Sequence, residues 1–354
     1  MTAAAALRQP ASDPSATASR PRMVARLLPD GRRLHLQDGP IDLIIGADGV
    51  QDAVAAAYRA AAGRFAGLLD ELCADLALLR APAVPDRPPA GIVARRMWAA
   101  VLPHAARAFI TPMAAVAGAV AEEILAAMCA AAPLDRAYVN NGGDIALHLA
   151  PGMSLAAGLV DRPDRPSLVG SATIRAADPV RGIATSGWRG RSFSLGIADA
   201  VTVLVGTAAE ADAAATVVAN AVDLPGHGAI ARRRARDLQP DSDLGDRLVT
   251  VAVGPLDAAE IERALAGGLR EADRLIGEGR IVGAALQLAT RVRVAGDFRD
   301  LTVPGDRHAT VTAIPGIDKM LSGHAVWAGR RPSGQNPTFA SRKCQIELTT
   351  SSKS

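Results

Sequence analysis

Residues 136–149 read RAYVNNGGDIALHL, and the fold turns on this stretch. Apolar and polar side chains alternate on either side of Asn-Asn-Gly-Gly-Asp, which predicts two half-buried strands, 136–140 and 144–149, joined by a tight reversal. Moving toward the C-terminus, the same period of two predicts strands at 154–160, 168–174, 192–197 and 199–205, with Val201, Val203 and Val205 facing the core. The period then lengthens into a helix over 208–222, followed by a strand at 248–253, an Ala/Glu/Arg-rich helix at 257–278 and a closing strand near 281–288. Toward the N-terminus, short strands at 23–28, 32–36 and 41–46 are separated by the turn signals PDG and QDGP. Between these strands and the opening segment, Val54, Tyr58, Ala61, Phe65, Leu68, Leu69, Leu72, Leu76 and Leu79 form one stripe at three- and four-residue steps, predicting a single long helix over 51–80. The Pro-rich run APAVPDRPPAG breaks the chain at 81–91. Helices at 92–102 and 112–131 follow, the second with Thr111 as N-cap and Pro112 at its first position. Strands in meanders and helices in blocks give an α+β fold, with mixed or antiparallel sheets and flanking helices, rather than regular βαβ alternation.

The 354 residues are 49% hydrophobic, 21% charged and 3% aromatic, an ordinary globular profile. The longest apolar run, Met113 to Ala121, is stopped by Glu122 and Glu123, so no membrane span is expected. The N-terminus lacks a basic start followed by a compact apolar segment, which predicts no secretory signal and a cytoplasmic location. Cys73, Cys129 and Cys344 show no CxxC or Cys/His spacing, which argues against structural zinc and against a disulfide framework. From Arg299 onward there are eight Lys or Arg against four acids, and all three lysines, Lys319, Lys343 and Lys353, fall there. This break in usage predicts one domain over 23–296, a disordered N-terminus over 1–22 and a disordered tail over 297–354. The run Arg232, Arg233, Arg234 and Arg236 reads as a solvated loop, and without a basic face bearing aromatic stacking residues no nucleic-acid partner is expected.

Three strings hold residues suited to chemistry. In Asn140-Asn141-Gly142-Gly143-Asp144, paired glycines tolerate positive φ and leave backbone N–H groups open to an anion, while Asn and Asp hydrogen-bond a base or sugar. The same string reads equally as a plain hairpin turn. In GIATSGWRGR, residues 182–191, the hydroxyls of Thr185 and Ser186 lie beside Gly187, Arg189 and Arg191 suit phosphate oxygens, and Trp188 suits a flat ring. An exposed Gly-rich loop is the plain alternative. In ADAAAT, residues 211–216, Asp212 and Thr216 share one helical face. A carboxylate and a hydroxyl there suit Mg²⁺, which keeps positions for phosphate, although an Asp near a helix start also serves the helix dipole.

Taken in order, YVNNGGDIAL, GIATSGW and ADAAATVVANAV resemble the ApbE flavin transferase superfamily, whose members bind FAD with Mg²⁺ and move its FMN part onto a protein Thr. FITPMAAVAGAVAEEI, SGWRGRSFSLGIADAVTVL and PDSDLGDRLVTVAVG are similar to a cytoplasmic branch of that superfamily over residues 23–296. The resemblance implies an ApbE-like α+β domain with FAD as substrate or ligand and an acceptor protein as partner. It assigns Mg²⁺ to Asp212 and Thr216, with the Ala184 carbonyl adding to the set, and FAD contacts to Asn140, Asn141, Gly142, Gly143, Asp144, Thr185, Ser186, Gly187 and Trp188. The segment aligned with the family's KGYAVD adds Gly118 and Glu122, but places Ala117 where the family has Lys and Glu122 where it has Asp. After the ATSG string the family's His is missing, because the chain runs through Phe193 to Asp199 directly into Val201. His227, in LPGHG, is the substitute base. Three functions compete: Mg-dependent FMN transfer or FAD pyrophosphate cleavage, flavin binding without chemistry, and a different enzyme using Asp241, Ser242 and Asp243 at the same pocket, although two acids bracketing a Ser also read as a plain helix cap or turn.

Overall fold

The computed structural model describes residues 23–160, 168–296 and 348–349. A meander of β1 (Val24–Leu27), β2 (Leu34–Asp38) and β3 (Ile41–Asp48) is followed by a helical block, α1 (Gln51–Phe65), α2 (Leu68–Ala74), α3 (Leu76–Leu79), α4 (Ile92–Val101) and α5 (Val116–Ala131). Next come β4 (Arg136–Asn141), β5 (Asp144–Leu149), β6 (Ser154–Val160), β7 (Leu168–Arg175), β8 (Gly182–Ser186) and β9 (Ala200–Val205). The remainder is α6 (Ala208–Ala221), β10 (Ile230–Arg234), α7 (Ala235–Leu238), β11 (Leu248–Val253), α8 (Ala258–Gly277), β12 (Gly283–Leu288) and β13 (Arg291–Gly296). In the tail, β14 (Leu348–Thr349) pairs with β6; the expectations for 1–22 and for the rest of 297–354 lie outside the described residues.

Among the described residues, nine strands form one sheet in the order β1-β2-β3-β4-β5-β8-β9-β12-β13, each paired antiparallel to its neighbours. The fold is therefore α+β with antiparallel sheets and flanking helices. One face of this sheet carries helices: α1, α4 and α5 over β2 to β5, and α6 and α8 over β9 and β12. On the other face, Ile145, Leu147, Leu149, Ile183 and Leu204 pack against Leu155, Ala157 and Ile174 of the small β14-β6-β7 sheet. Strand alternation accounts for the division, since Val201, Val203 and Val205 point to the helices while Leu204 points away.

Several local expectations are corrected. The helix over 51–80 is broken into three, because Gly67 takes a left-handed φ of 79° between α1 and α2. A second break falls at Asp75, whose carboxylate accepts the N–H groups of Ala90 (3.3 Å) and Gly91 (2.7 Å) at the start of α4. Residues 192–197 alternate like a strand but form a loop: the N–H of Leu195 goes to Asn220 Oδ1, that of Gly196 to Ser194 Oγ and that of Ile197 to the Val222 carbonyl. Strand β8 falls in the GIATS string read as part of a loop, and β13 follows the strand expected to close the fold. The arginine run lies in β10 and α7 rather than a solvated loop; Arg232 donates to the Leu195 carbonyl at 2.6 Å and pairs with Asp223.

Contrary to expectation, the segment Pro112–Ala131, a short 3-10 turn plus α5, is long and apolar enough by length and composition to cross a membrane, with a mean hydropathy of 1.7. It is a core helix, with Ala117, Gly118, Ala119, Val120, Ala121, Ile124, Leu125 and Met128 buried. Its two acids do not end it, because each finds a guanidinium. Glu122 pairs with Arg96 at 3.0 Å, while Glu123 pairs with Arg96 at 2.9 Å and with Arg64 at 2.6 Å. Burial pushes the Glu123 carboxyl up, but the hydrogen bonds from Arg64 and Arg96 outweigh it and hold the group below the usual carboxylate range.

Candidate functional site

Close backbone approach sets the site. A Cβ on Gly118 would fall 2.1 Å from the Ala208 carbonyl oxygen, and one on Gly182 would fall 2.1 Å from the carbonyl of Thr207. Only glycine at these two points lets the start of α6 sit against both α5 and β8. The first turn of α6 is then capped twice, by Thr207 Oγ1 accepting from the Glu210 N–H (3.3 Å) and by Glu122 Oε1 accepting from the Ala209 N–H (2.7 Å). Burial raises the Glu122 carboxyl, against the lowering effect of the Ala209 hydrogen bond and of Arg96.

One turn further along α6, Asp212 Oδ2 accepts the N–H groups of Ala117 and Gly118, both at 3.1 Å, at the start of α5. Asn141 Nδ2 donates to the Ala117 carbonyl at 3.2 Å, so the end of β4 joins the same polar seam. Asp144, across the turn, accepts from the Thr185 N–H at 3.2 Å, and Thr185 Oγ1 lies 2.9 Å from Thr202 Oγ1. These bonds hold the three strings together at the mouth of a cleft of about 380 Å³. Asp144, Thr185, Ser186, Gly187, Asp212 and Thr216 line it. Arg80, Thr111, Asp241, Ser242 and Asp243 line it from other parts of the chain.

Other sequence-selected residues lie elsewhere. Asn140 Oδ1 accepts from the Gly143 N–H at 2.7 Å, and Gly142 and Gly143 take φ values of 63° and 113°, so these three build the hairpin turn and do not line the cleft. Asn141 is buried in the seam, Gly118 serves the packing of α5 on α6, and Glu122 caps α6. Ala184 is fully buried in β8, paired with Val203. Trp188 is not on the lining: its Nε1 donates to Asp199 Oδ1 at 3.1 Å and its ring carries the Arg189 guanidinium at 4.4 Å. The aromatic rings on the lining are Phe109 and Phe193, and Phe109 already carries the Arg247 guanidinium. His227 stands outside the cleft, with Nδ1 accepting from the Ala229 N–H (3.2 Å) and Nε2 set 2.8 Å from Glu260 Oε1 at the start of α8. Both ring nitrogens are committed there, which corrects its assignment as the base.

Thr111 is also corrected as a helix cap. Its Oγ1 donates to Asp243 Oδ2 at 2.5 Å, and no side-chain bond caps the turn it precedes. Arg80, 161 residues from its ion-pair partner Asp241 (2.6 Å), carried no local signal of a site. Arg191 lines the cleft with a buried Nε that has no hydrogen-bond partner among the described residues; its terminal nitrogen reaches the Pro40 carbonyl at 3.5 Å. No group of three or more His, Cys, Asp or Glu suited to hold a metal occurs among the described residues.

An antiparallel α+β body with an open, carboxylate-lined cleft between β8, α5 and α6 defines the class of protein. The chain belongs to the family described as AbpE bacteria, whose model matches residues 25–298. It is similar to UPF0280 proteins of Methanopyrus kandleri (40% identical over 124 residues, 34% of this chain and 48% of the relative) and Methanothrix thermoacetophila (37% over 153 residues, 39% and 54%). A UPF0280 protein of Methanocella arvoryzae is 37% identical over 139 residues, 37% of this chain and 50% of the relative. The chain thus spans about half the length of the curated relatives it matches. Among solved structures it is similar to the apo flavinyl transferase ApbE of Pseudomonas stutzeri, at 12% identity and a TM-score of 0.35, covering 77% of this chain and 93% of that one. It is also similar to the flavin transferase ApbE of Vibrio cholerae, at 17% identity and a TM-score of 0.27, covering 71% and 76%.

Proposed function

We propose that the cleft binds a flavin nucleotide, FAD, by its pyrophosphate, and passes the FMN part to a hydroxyl of an acceptor protein in the cytoplasm. The observation that carries this reading is the meeting of Asp144, Thr185 to Gly187, and Asp212 with Thr216 around one cleft. These residues come from the three strings that resemble the flavin transferases, and a turn that only joined β4 to β5 had no need to meet the other two. Arg191, on the same lining, offers its guanidinium to phosphate oxygens.

The donor set fits Mg²⁺ bound together with a phosphate ligand. Asp212 and Thr216 are hard oxygen donors one helical turn apart, and Mg²⁺ characteristically takes one or two protein oxygens and completes its shell with water and substrate phosphate. Bound there, the ion would neutralise charge on the pyrophosphate.

A second reading keeps the ligand and drops the chemistry. It is favoured by Ala117 on the cleft where the family pattern has Lys, and by the absence of a His between Gly187 and Val201. Incubating the full chain with FAD and Mg²⁺ separates the two: AMP release supports transfer or pyrophosphate cleavage, a retained yellow chromophore without AMP supports binding alone, and the absence of both would rule out a flavin site.

A further inference from the structure

Five carboxylates line the cleft, Asp144, Asp199, Asp212, Asp241 and Asp243, and transfer to a hydroxyl needs a group to take its proton. Asp199 is held on both oxygens, Oδ1 by Trp188 Nε1 (3.1 Å) and Arg189 Nε (2.5 Å), Oδ2 by the Ala289 N–H (2.6 Å). Asp241 is paired with Arg80 at 2.6 Å. Asp212 accepts two backbone N–H groups, and Asp144 accepts that of Thr185. These contacts engage the carboxylate oxygens that would otherwise receive a proton.

Asp243 stands in a different setting. Its donor is a hydroxyl, Thr111 Oγ1, at 2.5 Å across 132 residues of sequence. Thr111 is only 2% exposed, so its hydroxyl reaches Asp243 from the protein interior and holds the carboxylate on the cleft lining without placing a positive charge beside it.

We propose that Asp243 is the general base of the transfer and that Thr111 is its positioning residue; this rests on the flavin reading above. The acceptor oxygen forms a bond to the phosphorus on the FMN side of the pyrophosphate. The bond from that phosphorus to the bridging oxygen breaks, AMP leaves with the electron pair, and the acceptor's hydroxyl proton passes to the Asp243 carboxylate. Where water is the acceptor, the same step releases FMN and AMP.

The test follows AMP release from FAD and Mg²⁺ across pH, with FAD affinity measured by calorimetry on the same samples, for the full-length wild type, Asp243→Asn, Thr111→Val and Thr111→Ser. Asp243→Asn is expected to bind FAD as the wild type does, to slow AMP release by about 100-fold or more, and to lose the acid limb of the pH profile. Thr111→Val is expected to slow it about 10-fold and shift that limb with KM unchanged, while Thr111→Ser, which keeps the hydroxyl, restores both. Wild-type rate and acid limb in Asp243→Asn would overturn the assignment. A wild type that binds FAD and releases no AMP overturns it too, leaving binding intact, whereas a wild type that binds no FAD overturns the flavin reading itself.

Discussion

Asp212 and Gly118 lie 94 residues apart in sequence and meet at 3.1 Å, carboxylate oxygen to backbone N–H. The contact gives one carboxylate two tasks, to cap the start of α5 and to stand on the cleft wall. A negative charge at a helix N-terminus contributes about 0.3–1 kcal/mol, so the carboxylate stabilises the fold modestly while remaining placed for a ligand.

Replacing Asp212 with Asn keeps an oxygen for the Ala117 and Gly118 N–H groups and removes the charge. The expected result is a strong loss of Mg²⁺-dependent FAD affinity with little change in thermal stability. Thr216→Val is expected to act in the same direction and less. Titrating FAD with and without Mg²⁺ into each protein checks this, and equal affinities throughout would reduce Asp212 to a helix cap.

Gly118→Ala drives a methyl group into the Ala208 carbonyl, 2.1 Å away, where the obstacle is backbone and cannot rotate aside. Overpacking of this kind costs about 1–3 kcal/mol. Urea unfolding is expected to show that loss, and FAD binding is expected to fall with it, because the start of α6 is pushed off the site.

Arg191→Ala removes a guanidinium whose Nε is buried and makes no hydrogen bond among the described residues. Affinity for inorganic pyrophosphate is expected to fall about 10-fold, in line with the loss of a charge-assisted hydrogen bond. Arg191→Lys is expected to recover only part, since an ammonium lacks the planar fork. Competition of pyrophosphate against bound FAD provides the readout; a wild-type competition curve for the Ala variant would remove Arg191 from the ligand set.

His104, 4% exposed and with Nδ1 unpartnered among the described residues, is held down to about 4 by burial, with Arg280 and Arg274 adding to the effect. The unfolded chain, titrating near 6.5, then binds more protons than the folded one between roughly pH 4 and 6.5. The sign follows: stability from this group is full above that window and falls as the pH drops through it, by on the order of 3 kcal/mol. Urea titrations at several pH values are expected to show the wild type losing stability relative to His104→Leu as the pH falls from about 6.5 to about 4. Parallel stability curves would show that His104 does not carry the effect.

Much of the outline is legible in the sequence. The β4-β5 hairpin, the alternating Val201, Val203 and Val205, and the stripe through Ala61, Phe65 and Leu72 all follow from local periodicity, because side chains two apart on a strand or three to four apart on a helix share a face. Strand β8 was not legible: five residues opened by Gly182 resemble a loop, and they pair as a strand only because β5 and β9 offer free edges on both sides. The stretch 192–197 failed in the opposite sense, since Asn220 and the Val222 carbonyl take the hydrogen bonds a neighbouring strand would otherwise have taken.

By itself, then, the sequence determined the α+β class and the three strings that supply part of the cleft lining, because turn chemistry and helical spacing act over a few residues. Tertiary structure alone decided the rest of the lining. Thr111 with Asp243 and Arg80 with Asp241 are joined across 132 and 161 residues, by contacts that no local pattern encodes. It also decided which selected residues serve packing: Gly118 and Glu122 are spent on seating α6, and His227 on Glu260, because burial and hydrogen bonding exist only once distant segments have met.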